Sequence, residues 1–346
     1  MKTRVIIVLI LSLLIHEATF AQGCCSGGGG NPIAGGNSTG VLNKNQLEIS
    51  GRYQYNYSDV YFSKDSDTLN MIDGLSSSYL FLKVDYGLSD KFTMSIASGY
   101  YTQKKLVELG QTDTVTSSGI SDLIIFPRYS VLNKKRENTR TELTLGLGIK
   151  IPLSSGEDST LVGYSGENAI YTISPPTVQV SSGSQDLILY SFLYHGYPKR
   201  KLRFFANALY IKKGYNSMGQ KFGDYVSMGL FVGKTVFKKI GVTVQLKGEW
   251  IDKMQVAKTV SEIDLAVYGI DMVSTGSKKV FFIPQLSYTE KNLTLFVTTE
   301  VPLYQYLNGV QAGSLYQVTA GLTYRLFVKK QKVVPENTFE LVPIPK

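Results

Sequence analysis

Several things are scarce in this chain of 346 residues, and each scarcity removes a class of protein. Cysteine occurs twice, as the adjacent pair Cys24 and Cys25, so no disulfide framework can staple the fold. Histidine also occurs twice, and His16 lies in the leading apolar region, which leaves His195 as the one imidazole of the mature chain. A lone histidine without a fixed serine or acid partner makes a poor general base. His195 falls at the end of a strand beside a turn, an interfacial position rather than a catalytic one. There is no G-x-S-x-G elbow, no H-E-x-x-H pair and no phosphate loop. The sequence therefore predicts no enzyme, no cofactor and no metal. Charged residues make up only 18%, and Trp occurs once. After the first 21 residues no apolar run reaches the ~18 residues of a membrane helix, and no long window carries a 3.6-residue apolar period.

What is present points elsewhere. Lys2 and Arg4 precede an apolar run from Val5 to Ile15, and Thr19-Phe20-Ala21 ends in a small residue, the pattern of a signal peptide over 1–21. Residues 22–44 are Gly-rich with almost no large apolar groups, and form either a flexible leader or a plug. Cys24 and Cys25 lie within it. They are read as an inert or oxidised pair, as a lipid anchor on Cys24, or as a redox or metal pair, the last lacking ligand spacing.

Tyr is abundant at 23 residues and Gly at 33. From residue 45 the chain repeats one unit, shown best near its end. In 313–327, Tyr316, Val318, Ala320, Leu322, Tyr324 and Leu326 alternate with Gln317, Thr319, Gly321, Thr323 and Arg325. Successive side chains of a strand point to opposite faces, so this segment has one apolar and one polar face, with aromatics at both ends of the apolar one. Twelve such strands are predicted at 45–57, 76–88, 91–103, 118–132, 139–151, 184–195, 201–213, 222–236, 240–251, 277–288, 292–304 and 313–327. Fourteen is the alternative, because 152–183 and 252–276 have room for more strand. Long and short connections alternate along the whole chain, as they do in antiparallel up-and-down transmembrane β-barrels. The expected organisation is a barrel over 45–327 in a Gram-negative outer membrane. Short turns, both termini and a polar tail over 328–346 are placed in the periplasm. The short turns and Lys91 hold ten bases and three acids, a net of +7 out of the chain's +9, with no aromatic platform for nucleic acid.

The inward faces are expected to carry Glu48, Arg52, Lys83, Asp85, Asp122, Arg128, Glu142, Lys150, Lys247, Glu249, Glu300 and Arg325, six acids and six bases. An ion-selective pore would show a bias of sign, so this balance predicts a salt-bridge network that narrows the lumen. Thr93, Ser95, Ala97 and Gly99 leave room beside it for a plug or a narrow path. The sixth, seventh and tenth strands are apolar on both faces, so either the lumen there is greasy or something packs against it from inside.

Between Gly146 and Leu193, GLGIKIPLSSGE is followed by SPPTVQVSSGSQDLILYSFLYH. This resembles the outer-membrane proteins of the meta-pathway of phenol degradation and the FadL-like transporters. The matching residues are Lys150, Pro152, Gly156, Gly183, Ser184 and Asp186. The resemblance covers roughly 45 residues. It implies a barrel that passes small hydrophobic or aromatic solutes. Pro175, Pro176 and Val178 in the 152–183 loop are expected to form part of an extracellular entrance. FadL-like barrels have fourteen strands and an obvious N-terminal hatch, which this sequence does not show. The expected partners are outer-membrane lipid, a small apolar solute, and a periplasmic or surface protein docked through leader and tail. The alternative function is a closed scaffold that docks such a partner without transport.

Overall fold

A computed structural model describes residues 22–23, 40–70, 72–108, 110, 114–260 and 271–328 of the protein. Cys24, Cys25 and the tail beyond Val328 lie outside the described residues.

Twelve antiparallel strands close into a barrel, each hydrogen-bonded to the next in sequence and the last to the first. They are β1 (Gln46–Ser58), β2 (Ile72–Ser89), β3 (Phe92–Glu108), β4 (Leu123–Lys135), β5 (Arg140–Ile151) and β6 (Asp186–Tyr197). The other half comprises β7 (Leu202–Lys212), β8 (Tyr225–Val236), β9 (Ile240–Ile251), β10 (Ser277–Glu290), β11 (Leu293–Ser314) and β12 (Tyr316–Phe327). Closure leaves no edge strand and satisfies every ladder internally, the condition for a sheet to cross lipid.

Alternation sorts the side chains as the sequence pattern implies. Leu82, Met228 and Leu230 are 56%, 62% and 64% exposed on the outside. Leu145, Leu147, Leu189, Val242, Leu295 and Leu322 belong to the same band. An apolar belt of this extent around a closed barrel is the surface that hydrocarbon covers. Tyrosines 53, 100, 129, 288 and 324 are exposed among it, and Trp250 carries Lys278 over its ring at 4.6 Å.

Several boundaries differ from the expected ones, β2 starting at Ile72 and β3 running on to Glu108 among them. Residues 114–120 pair only with β3, and the wall strand β4 starts after Ser121 and Asp122. The expected loop at 305–312 is strand. Gln305 and Ser314 exchange hydrogen bonds, and Gly309 takes φ +60°, so the chain doubles back around Asn308-Gly309 into a tall hairpin. The short strand Tyr61–Lys64 packs along it. The 152–185 connection does contain extra strand, as the alternative of fourteen anticipated, but its hairpin (Ser159–Ser165 with Asn168–Ile173) forms its own two-stranded sheet outside the wall.

Candidate functional site: the lumen wall

The lumen is built by the inward residues of each strand. An aromatic patch covers the side formed by β2 to β8. Tyr79 packs on Tyr101 at 4.4 Å between ring centres, Phe126 on Tyr190 at 5.8 Å, and Phe205 on Phe192, Tyr194 and Phe231 within 6.1 Å. Several rings lie over glycines of neighbouring strands. A Cβ on Gly148 would meet Phe126 Cδ2 at 2.5 Å, and one on Gly99 would meet Tyr79 Oη at 2.2 Å. The gap expected beside the small residues of β3 is therefore filled. Ser95 donates to Asp85, and Thr93 accepts a hydrogen bond from the Leu42 N–H at 2.8 Å.

The twelve expected charged residues fall into separate clusters. Near the short turns, Asp85 is fully buried between Lys83 at 2.8 Å and Arg128 at 2.7 Å. Arg325 pairs with Glu48 beside it, and Glu142 pairs with Arg140 at 2.7 Å. Half-way along, Lys247 lies between Glu300 at 2.5 Å and Glu249 at 3.4 Å, above the Phe281 ring. Arg52 sits over the Phe81 ring at 4.1 Å. At the long-loop end Lys150 bridges Asp122 at 2.7 Å and Asp186 at 2.9 Å, and Lys213 reaches Asp186 at 2.9 Å. Burial and the neighbouring Lys150 push the Lys213 ammonium below its usual range, with Asp186 opposing.

The balance of six and six does not describe the wall. Among the described residues of the wall, the structure adds the inward bases Lys104, Arg140, Arg203, Lys213 and Lys279 and the carboxylate Asp186. Lys104 and Lys279 were missed because each follows a second lysine or a strand irregularity, where two-residue counting is ambiguous. A register shift in β3 between Tyr101 and Lys104 turns Lys104 inward.

Two chain segments enter this lumen. At the short-turn end, the Gly40 carbonyl accepts from Arg128 Nη1 at 2.7 Å, Val41 N–H donates to Glu142 Oε1 at 3.3 Å, and Leu42 is buried. At the other end, residues 174–184 fold inward. Val178 and Val180 are buried against lumen residues, the Gln179 carbonyl accepts from Lys104 at 2.6 Å, and Ser182 accepts from Lys150 at 2.8 Å. Val178, expected at an open entrance, is thus a buried anchor. The greasy faces of β6 and β7 combine both expected explanations, because they are apolar lumen and they also receive Val180.

The six motif residues lie where this loop is fastened. Gly156 and Gly183 take φ of +73° and +67° and sit back to back, a Cβ on Gly156 meeting the Gly183 nitrogen at 3.1 Å. Both positions need glycine, for conformation and for space. Ser184 donates to Asp186 at 2.8 Å, and Asp186 joins Lys150. Pro152 is half-buried at the start of the loop. Elsewhere, a concavity of about 760 Å³ lies against the wall beside the outward Leu145, Leu189 and Met228. His195 is also on the outer face, hydrogen-bonded to Thr141 at 2.8 Å and edge-on to Tyr197.

No protein-family model matches the chain, and no curated protein sequence matches it. Among solved structures it is similar to an outer membrane channel from Pseudomonas putida F1, with TM-score 0.55 and 11% identity over 83% of this chain and 97% of that one. The KdgM porin (TM-score 0.39, 9% identity, 80% and 98% covered) and a Pseudomonas aeruginosa FadL homologue (0.38, 8%, 88% and 98%) are more distant and carry no weight here. At such identities the likeness is one of fold. The chain has the fold of an outer-membrane β-barrel.

Proposed function

We propose that the protein is an outer-membrane channel for small solutes of partly apolar character, with the short turns on the periplasmic side. The observation that carries this reading is the inner wall. Twelve strands enclose more than side chains alone fill, whereas about eight are just filled. That interior carries an aromatic cluster in the stretch between the charged clusters of its two ends, with Val180 of the inward loop packed against it. The lipid belt and the alternation of loop lengths support the membrane and the orientation.

A second reading concerns residues 22–44. Their described parts are attached at opposite ends of the barrel, Gln22–Gly23 beside Gly313–Ser314 and 40–44 inside the short-turn mouth. The seat of 40–42 in the short-turn mouth favours a leader held at that mouth over a free periplasmic arm.

Single-channel recording in a planar bilayer tests both. Steady conductance from the full chain supports the open channel. Conductance that appears only after deletion of 22–44 supports the obstructing leader. Silence from both overturns the channel in favour of a closed scaffold.

A further inference from the structure

Among the described residues, Arg203 on the inner wall of β7 has no carboxylate partner. Its Nη2 donates to the Thr235 hydroxyl at 3.2 Å, and its Nε–H is buried without a protein partner. Acids at this end of the barrel are engaged elsewhere, Glu142 with Arg140 at 2.7 Å and Glu290 with Lys239 among them. A guanidinium carries five N–H donors in a planar fork that matches a carboxylate. Buried charges are ordinarily paired, because desolvating a lone one is costly. Arg203 is half-buried, and the protein uses only part of its fork.

The wall beside it holds the other parts of a site. On β8 and β9, Gly233 stands opposite Thr243 and Thr235 opposite Gly241, with Arg203 next to Gly233 across β7 and β8. The two glycines leave bare backbone around which the neighbours gather. A Cβ on Gly241 would stand 3.7 Å from Arg203 Nη2. One on Gly233 would stand 2.9 Å from Thr243 Oγ1 and 3.7 Å from the Phe205 ring. Thr235 accepts from Arg203 and keeps its own O–H to donate. Phe205 continues into an aromatic surface, with Tyr194 at 5.3 Å and Phe231 at 6.1 Å between ring centres. A charged fork, two hydroxyls and a ring thus meet around the same two glycines.

We infer that Arg203, Thr235 and Thr243 form a binding site for the carboxylate of a small acid whose flat apolar body lies on Phe205. The site depends on this one donor set and not on the overall charge of the lumen. It deepens the channel reading above by naming a solute class, and binding is read without current. The probe is benzoate, titrated by saturation-transfer NMR against the full chain folded in detergent micelles. Saturable binding is expected, weakened about tenfold or more by Arg203→Gln, because a hydrogen-bonded charge pair is lost. Thr235→Val, which keeps the charge and nearly the shape, should weaken it several-fold, and it carries the test if Arg203→Gln fails to fold. Phe205→Leu should weaken benzoate and leave acetate unchanged. Absence of saturable binding, affinity unaltered by Thr235→Val, or equal binding of benzylammonium overturns the site. Lost binding with conductance intact leaves the channel reading standing. Intact binding with silence in the bilayer overturns the channel and leaves the site.

Discussion

Asp85 shows how much a single buried carboxylate holds in this barrel. It has no exposed surface and two cations within 2.8 Å, from its own strand and from β4. Removing one member of a buried ionic group leaves the others uncompensated, typically at about 3–5 kcal/mol. Asp85→Asn should therefore lower unfolding stability in urea by that order, followed by the heat-dependent gel mobility of the folded barrel. Adding Lys83→Met should recover part of the loss, and no recovery would mean that the pair is not energetically coupled. Gly148 makes a different demand. A Cβ there meets both Phe126 and the Ile125 carbonyl oxygen, the latter at 2.9 Å, and backbone cannot step aside as a flexible side chain can. Gly148→Ala should cost about 1–3 kcal/mol in the same assay, as overpacking does. An unchanged midpoint would show that the β4–β5 wall is more pliant than its packing implies.

The inward fold of 174–184 is the element on which access to the lumen depends. It is fastened by Lys150, Asp122, Asp186 and Lys213, by Ser181 donating to Asp122, and by the Gly156–Gly183 crossing. Lys150→Met removes the centre of that cluster and leaves two acids with Lys213 alone. The expected outcome is a looser loop, seen as faster proteolysis within 152–185 on intact vesicles and as larger or noisier single-channel currents. Unchanged proteolysis would place the hold in the apolar packing of Val178 and Val180 instead. The sequence motif made this cluster findable, since Lys150, Gly156, Gly183, Ser184 and Asp186 stand out as a pattern. The role of Asp122, expected only as one of many inward charges, could not be read in the same way. It faces Lys150 because β4 and β5 are neighbours, not because the two are close in sequence.

Across the whole molecule, the architecture was largely legible in the sequence and the working state of the lumen was not. Period-two alternation is a local property of extended chain, so the two faces of each strand, the strand number and the alternation of long and short connections could be read residue by residue. Glycine and asparagine turns and strand irregularities blur that reading. The turn at Asn308-Gly309 makes 305–312 read as a loop, and the register shift in β3 hides the inward face of Lys104. Only the closed barrel decided which charges meet. Glu48 and Arg325 are 277 residues apart and become partners because β1 and β12 complete the ring. Closure also decided that residues 174–184 fold inward, since their buried valines and serines find partners in a lumen assembled from distant strands. Pattern along the chain is set by local geometry. Pairing across the lumen is set by register and closure, which no single stretch of sequence contains.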